Sequence, residues 1–257
     1  MSWLTDSINN EIKDNENVCD KYLTITSYYK AAHAAISKCI GIIKPKHVFD
    51  CWCSMGVSLM MLAEEYPHIE FAGLEENNNL AFTASIVAAN YRNIDRIYVD
   101  KHVIDLIKDY GESFDFTYML YKFRHIGTTI EDKFKFLEDF YKVMNTGSYL
   151  CIADTLIDCY DDDYIDRLYR IRAEEVYASV LLSSISSFDK VKIDKYKILA
   201  ADAAYKEIEI GKNIKEHHGD TLISKHLFIT EANRIGYNVL LAEQVNGLGD
   251  YVIVLQK

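Results

Sequence analysis

Apolar positions along this chain follow two rhythms, and the rhythms alternate. HVFDC (47–51), IEFAGL (69–74), RIYV (96–99), FDFTYML (114–120) and SYLCIAD (148–154) are short apolar runs bounded by polar residues. Runs of this length predict buried strands. Between them, GVSLMMLAEEY (56–66), residues 77–91, HVIDLIKDY (102–110) and IEDKFKFLEDFYKVM (130–144) carry apolar residues at helical spacing. In the last of these, Phe134, Leu137, Phe140 and Tyr141 share one face. The two prolines punctuate: Pro45 closes a helical stretch over 20–43, and Pro67 follows the 56–66 helix. Asn145-Thr-Gly147 reads as a turn.

Strands alternating with helices predict a parallel sheet with helices on both faces. Ligands of such sheets bind beyond the carboxyl ends of the strands. Residues 50–56, 74–77, 100–103, 118–125 and 154–158 therefore hold the informative chemistry. The rhythm breaks over 155–218, where long helical patterning replaces the alternation; this segment reads as an insertion on the strand-end side, a lid. It resumes at TLISKHLFITEANRIGY, a helix ending at Gly236, followed by NVLLAEQ and DYVIVLQK, two strands joined by NGLG as an antiparallel pair. The expected organisation is an N-terminal helical cap over 1–44, an α/β core over 45–154, the helical insertion over 155–218 and a completion of the core over 219–257.

Composition narrows the function classes. With 257 residues, 49% hydrophobic and 12% aromatic, the chain can bury roughly 70% of its unfolded surface. Its net charge is 28 − 39 = −11, which repels phosphate backbones and disfavours a nucleic-acid partner. No apolar run approaches the roughly 20 residues that span a bilayer. The start, MSWLTDSINNEIKDNEN, lacks a basic n-region and an apolar h-region, so the expected compartment is the cytoplasm. The six cysteines, at 19, 39, 51, 53, 151 and 159, read there as reduced thiols. Cys51 and Cys53 form C-x-C without a second pair at zinc spacing, so no metal is expected.

The sharpest constellation is Asp50-Cys-Trp-Cys-Ser-Met-Gly56, then a helix, then a strand ending Gly73-Leu-Glu75-Glu76. It resembles the first two motifs of the class I S-adenosylmethionine-dependent methyltransferases, in their small-molecule branch. Ser113-Phe-Asp115, Lys142-Val-Met-Asn-Thr-Gly147 and Ile152-Ala-Asp154 resemble later landmarks of that family. The resemblance covers roughly 45–155 and 221–257. It implies a Rossmann-like, seven-stranded, mostly parallel sheet with an antiparallel last strand. It also implies S-adenosylmethionine as cofactor and methyl transfer to a small-molecule acceptor. Asp50, Trp52, Ser54, Gly56, Glu75, Glu76, His102, Val103 and Met119 take the cofactor-binding positions. Glu75 is the carboxylate that accepts from ribose hydroxyls, and the glycine positions allow close backbone approach.

The departures are as informative as the matches. Trp52 and Ser54 replace the first two glycines of the family's loop, Lys101-His102-Val103 (after Asp100) replace its Gly-Asp-Ala, Met119-Leu120 its Ser-Asn, and Arg124-His125 its His-His. They leave open a protein that keeps the fold, has lost methyl transfer and serves as a partner subunit or homodimer, or that binds another ligand. For a general base, His125 is the first candidate, ahead of His33 and His217-His218. His226 with the latter pair fits no compact zinc spacing. Tyr28, Tyr29, Tyr118, Tyr121, Tyr160, Tyr164 and Tyr169 offer an aromatic lining or plain packing. Asp161-Asp-Asp163 reads as a helix start.

Overall fold

A computed structural model describes residues 26–99, 101–110, 114–157, 161–184, 190–216, 222–247 and 249–257. The element order is α1 (Ser27–Ile43), β1 (His47–Asp50), α2 (Val57–Glu65), β2 (Glu70–Leu74), α3 (Asn78–Ala88), β3 (Ile94–Tyr98), α4 (Val103–Tyr110) and β4 (Phe116–Leu120). A 3₁₀ turn (Phe123–His125) precedes α5 (Ile130–Val143) and β5 (Tyr149–Thr155). Then come α6 (Asp162–Ser184), α7 (Lys190–Glu216), α8 (Lys225–Ile235), β6 (Asn238–Gln244) and β7 (Asp250–Gln256).

The strands form one seven-stranded sheet in the order β3-β2-β1-β4-β5-β7-β6. The five strands from β3 to β5 pair in parallel, and β7 runs antiparallel to both β5 and β6. The expected sheet, with its antiparallel last strand, is the observed one. The third strand starts earlier than the 96–99 run, because an irregularity at Phe71/Ala72 lets Ile94 pair with β2.

Local chemistry sets the element ends. Asn77 caps α3, its side chain accepting from the main-chain N–H groups of Asn79 and Leu80. Thr129 and Asp132 form a reciprocal capping box at the start of α5. Gly236 ends α8 in the left-handed conformation. Asp163 N–H donates to Asp161 at 3.0 Å, consistent with the acidic triplet opening α6. One apolar core joins Phe49, Leu74, Val103, Met119, Phe140 and Ile253.

The described residues separate into two compact units. One contains Ala31–Tyr160 and His217–Lys257, and thus the whole sheet. The other contains the described residues up to Lys30 and Asp161–Glu216, where α6 packs on α7. A Cβ on Gly211 of α7 would meet Tyr169 Cβ at 2.8 Å, so glycine there allows that close approach. Within this unit the buried Arg172 lies 4.9 Å from the Tyr28 ring and 5.5 Å from the Tyr169 ring. Tyr28 donates to Glu207 at 3.1 Å. Tyr28 and Tyr169 thus pack inside this unit, while Ile171, Leu182, Ile198 and Tyr205 are exposed. Among the described residues no helix is long and apolar enough to cross a membrane, and no group of acidic, histidine and cysteine side chains is arranged to hold a metal.

Candidate functional site

The parallel strands bring their carboxyl ends to one edge, and the loop after β1 lies at its centre. Asp50, the last residue of β1, is in register with Gly73 and Tyr118. The chain then bridges both neighbours: Cys51 N–H donates to the Tyr118 carbonyl at 3.0 Å, and Cys53 N–H to the Leu74 carbonyl at 2.8 Å. Gly73 makes room for this. A Cβ there would meet Cys53 Sγ at 3.0 Å and Leu59 Cδ2 at 3.1 Å.

Gly56 closes the loop at φ 80°, and a Cβ on it would meet Met60 Cε at 2.7 Å. The last glycine of the motif is therefore required by its left-handed conformation, whereas the flexible end of Met60 could give way to a side chain. Ser54 occupies the same left-handed region at φ 52°, which costs a non-glycine residue about 1 kcal/mol or more. A hydrogen bond from Ser54 N–H to Glu75 Oε2 at 2.9 Å holds it there. The buried Ser54 Oγ has no hydrogen-bond partner. The Trp52 indole packs against the core beside Phe136 of α5, at 5.8 Å between ring centroids.

Glu75 is buried, and its second oxygen accepts from Asn77 N–H at 2.9 Å. Each carboxylate oxygen so engaged retains acceptor capacity. Asp50 is 2% exposed. It accepts from Trp52 N–H at 3.2 Å. Burial pushes its carboxyl up to about 7; hydrogen bonds from Tyr118 and Trp52 pull it down, and the neighbouring Glu75 pushes it up. Neither carboxylate is ion-paired by lysine or arginine among the described residues, and Lys122 is the smallest of the influences on Asp50.

A second polar cluster sits at the ends of β4 and β5. Tyr121 takes φ 56° as β4 ends, with its N–H donating to the Ala153 carbonyl at 2.8 Å. Arg124 is buried. Its main-chain N–H donates to Asp154 Oδ2 at 3.0 Å, and its Nη1 to Thr155 Oγ1 at 3.0 Å. Thr155 in turn donates to Asp250 at 2.9 Å, and Asn246 to the other Asp250 oxygen at 2.7 Å.

The structure gathers Asp50, Trp52, Ser54, Gly56 and Glu75 into one loop and strand end. Glu76 and His102 are exposed. Val103 and Met119 are fully buried in the apolar core; the alternation of a strand and the inner face of a helix turn these side chains inward, away from the positions the resemblance gave them. His125 has exposed surface in the 3₁₀ turn, and its Nε2 faces Arg124 Nε at 3.3 Å. The protein around the ring, and then the cations Arg124, Lys122 and Lys133, push its pKa down to about 3. Solvent at its exposed edge tempers the size of that effect, not its direction. His33 is buried with Nε2 3.3 Å from the Ser58 carbonyl, a packed histidine of α1. His226 is exposed on α8. His217-His218, Asp100, Cys159, Tyr160 and most of the 1–44 cap lie outside the described residues. Sequence reasoning did not find the roles of Tyr118, Ser58 and Asp250. The signal for Tyr118 was its place opposite Asp50 in an otherwise apolar strand.

No family model matches the chain, and no curated protein sequence matches it. Solved structures do. Mitomycin 7-O-methyltransferase MmcR is 12% identical with a TM-score of 0.55, over 99% of this chain and 60% of that one. An O-methyltransferase family protein from Burkholderia thailandensis is 8% identical with a TM-score of 0.58, over 98% of this chain and 62% of that one. The methyltransferase domain of bacterial CtHen1-CN is 12% identical with a TM-score of 0.53, over 90% of this chain and 100% of the domain. The chain thus spans about three fifths of the first two proteins. At such identities the likeness is one of fold, and it agrees with the strand order. The chain has the class I S-adenosylmethionine-dependent methyltransferase fold.

Proposed function

We propose that this protein is an S-adenosylmethionine-dependent methyltransferase acting on a small-molecule acceptor. The observation that carries this reading is Glu75. It is a buried carboxylate at the end of β2 whose oxygens are aimed by Ser54 and Asn77 N–H groups and keep room for two further donors. Asp50 and Glu75 together, without a lysine or arginine partner, suit a ligand that brings positive charge and hydroxyl donors. S-adenosylmethionine brings both, and its sulfonium supplies an electrophilic methyl group. A solved neighbour, PigF, is described with S-adenosylhomocysteine, at 13% identity and a TM-score of 0.50.

In this reading Glu75 orients the ribose and Asp50 faces the amino group. Gly56 and Ser54 give main-chain approach, and Glu76 and His102 form the rim. Trp52 acts as a wall braced on Phe136. His125 stays neutral at pH 7 and is a weak base, so alignment of the acceptor carries the rate more than proton abstraction.

The test is calorimetric titration with S-adenosylmethionine and S-adenosylhomocysteine. Micromolar affinity, about −8 kcal/mol, is expected. Absence of heat and of any thermal shift at millimolar ligand overturns the reading. A second reading, a partner subunit that keeps the fold without transfer, draws on the exposed Ile171, Leu182, Ile198 and Tyr205 of the helical unit. A chain that binds no cofactor but self-associates in sedimentation equilibrium supports it.

A further inference from the structure

A general base must present a free lone pair, and the one that a neutral His125 owns is already engaged. Its Nε2 lies 3.3 Å from Arg124 Nε. A guanidinium only donates, so Nε2 accepts and carries no proton. The ring proton is therefore on Nδ1. Arg124 is itself held in place. Its Nη1 donates to Thr155 Oγ1 at 3.0 Å, its Nε is 3.8 Å from Asp154 Oδ1, and its guanidinium lies 5.2 Å from the Tyr121 ring. His125 is exposed, and Nδ1–H is the donor that its contact with Arg124 leaves over.

Lys122 stands beside this donor. It is the half-buried residue that opens the 3₁₀ turn, and His125 N–H donates to its carbonyl at 3.0 Å. Side chains three apart in such a turn lie on one side. The other cations of the region are engaged: Arg124 beside Asp154, and the buried Lys133 donating to the Ile126 carbonyl at 2.7 Å. Among the described residues no carboxylate is ion-paired with Lys122. The charged groups that act on the His125 ring, Arg124, Lys122 and Lys133, are all cations. The turn follows the carboxyl end of β4, next to β1 in the sheet, and so lies on the same edge as Asp50 and Glu75.

We propose that Lys122 and His125 form a subsite for an ionised oxygen of the methyl acceptor, a carboxylate or an acidic phenol, with Arg124 as the positioning residue that fixes His125 as an Nδ1–H donor. The inference rests on the methyltransferase reading and sharpens it by naming the acceptor's class. His125 takes no proton in this arrangement, so an acceptor oxygen bound there has to arrive ionised. The ammonium of Lys122 and the imidazole N–H then hold it in place.

Long-range proton–nitrogen NMR of the ligand-free protein tests the tautomer, with His125→Gln supplying the assignment. A protonated Nδ1 and a bare Nε2 are expected from pH 8 down to pH 5. A ring protonated on Nε2, or one that titrates near the ordinary value of about 6.5, overturns the inference. Arg124→Lys, which keeps a cation beside Asp154, is expected to let the Nε2–H tautomer appear; an unchanged ring overturns the positioning role. Benzoate and 4-nitrophenolate, with benzamide as the neutral match, then probe the subsite at pH 8 through the main-chain amide shifts of residues 122–126. At least one anion is expected to bind about tenfold or more tightly than benzamide, and the pair separates carboxylate from phenolate. Lys122→Gln weakens that binding about fivefold. His125→Leu weakens it about tenfold, and His125→Gln, which keeps a donor, restores most of it. No response to either anion, benzamide binding as tightly, or anion binding that neither Lys122→Gln nor His125→Leu changes overturns the inference. None of these measurements uses the cofactor, so failure of S-adenosylhomocysteine to bind in the calorimetric titration overturns the methyltransferase reading alone.

Discussion

The two halves of the sheet's carboxyl edge solve the same electrostatic problem in opposite ways. At the ends of β1 and β2, two buried carboxylates, Asp50 and Glu75, are held by main-chain N–H groups. At the ends of β4 and β5, Asp154 is equally buried, but Arg124 lies beside it, with Nε 3.8 Å from Oδ1. Burial raises both aspartates; at Asp154 the charge of Arg124 is the leading influence opposing it, whereas at Asp50 it is hydrogen bonding. One half carries its own cation and is closed on itself. The other has no lysine or arginine paired with its carboxyls among the described residues.

The strongest way to break this comparison is Arg124→Met, which strands the Asp154 charge in the interior. A loss of about 3–5 kcal/mol in urea unfolding is expected, and a loss below 1 kcal/mol would mean that the β4–β5 half does not depend on its cation. Next comes the pH dependence of stability. The folded chain holds the Asp50 proton up to about pH 7, the unfolded chain only to about 3.9. Wild-type stability therefore falls as pH rises through that window, by up to about 4 kcal/mol from this group. Asp50→Asn should flatten the slope, as measured by unfolding at pH 5 and pH 8. Glu75→Ala should then weaken cofactor binding by about 2 kcal/mol, roughly thirtyfold, the value of a charge-assisted hydrogen bond. Unchanged affinity in calorimetry removes Glu75 from the site. The smallest effect has the opposite sign. Ser54→Gly relieves the left-handed strain and removes a buried hydroxyl without a partner, raising stability by about 0.5–1 kcal/mol in thermal unfolding.

How far the sequence was legible follows from the range of each interaction. The alternation of strand and helix over 47–155 rests on periodicities within single elements, so it could be read residue by residue. The Asp50, Gly56 and Glu75 positions were picked out by their resemblance to a family motif, and the fold brings Ser54 of that loop onto Glu75 at the strand end. The Arg124–Asp154–Thr155–Asp250 network was not, since its members are 30, 31 and 95 residues apart and meet only when β7 inserts beside β5. Tyr118 was hidden in an apolar run, where its hydroxyl gives no signal until β4 is placed next to β1. Val103 and Met119 stood at the family's ligand positions, but core packing decides where their side chains point. The placement of the Trp52 indole depends on Phe136 of a separate helix, a contact that its own loop does not specify.

The absence of a side chain at Gly73 has a consequence for how such a site changes over time. The floor under the loop is flat there, so the Cys53 side chain rests directly on β2. Ser54 is then anchored to Glu75, one step beyond the strand. Constraint has moved from the loop's own letters to the strand beneath it. Side chains are thereby accommodated at 52 and 54, whereas an alanine at 73 would press on Cys53 and Leu59 and shift them by a few tenths of an ångström. In a search for distant homologues, the informative column is the small residue in the second strand and not the glycine signature of the first loop.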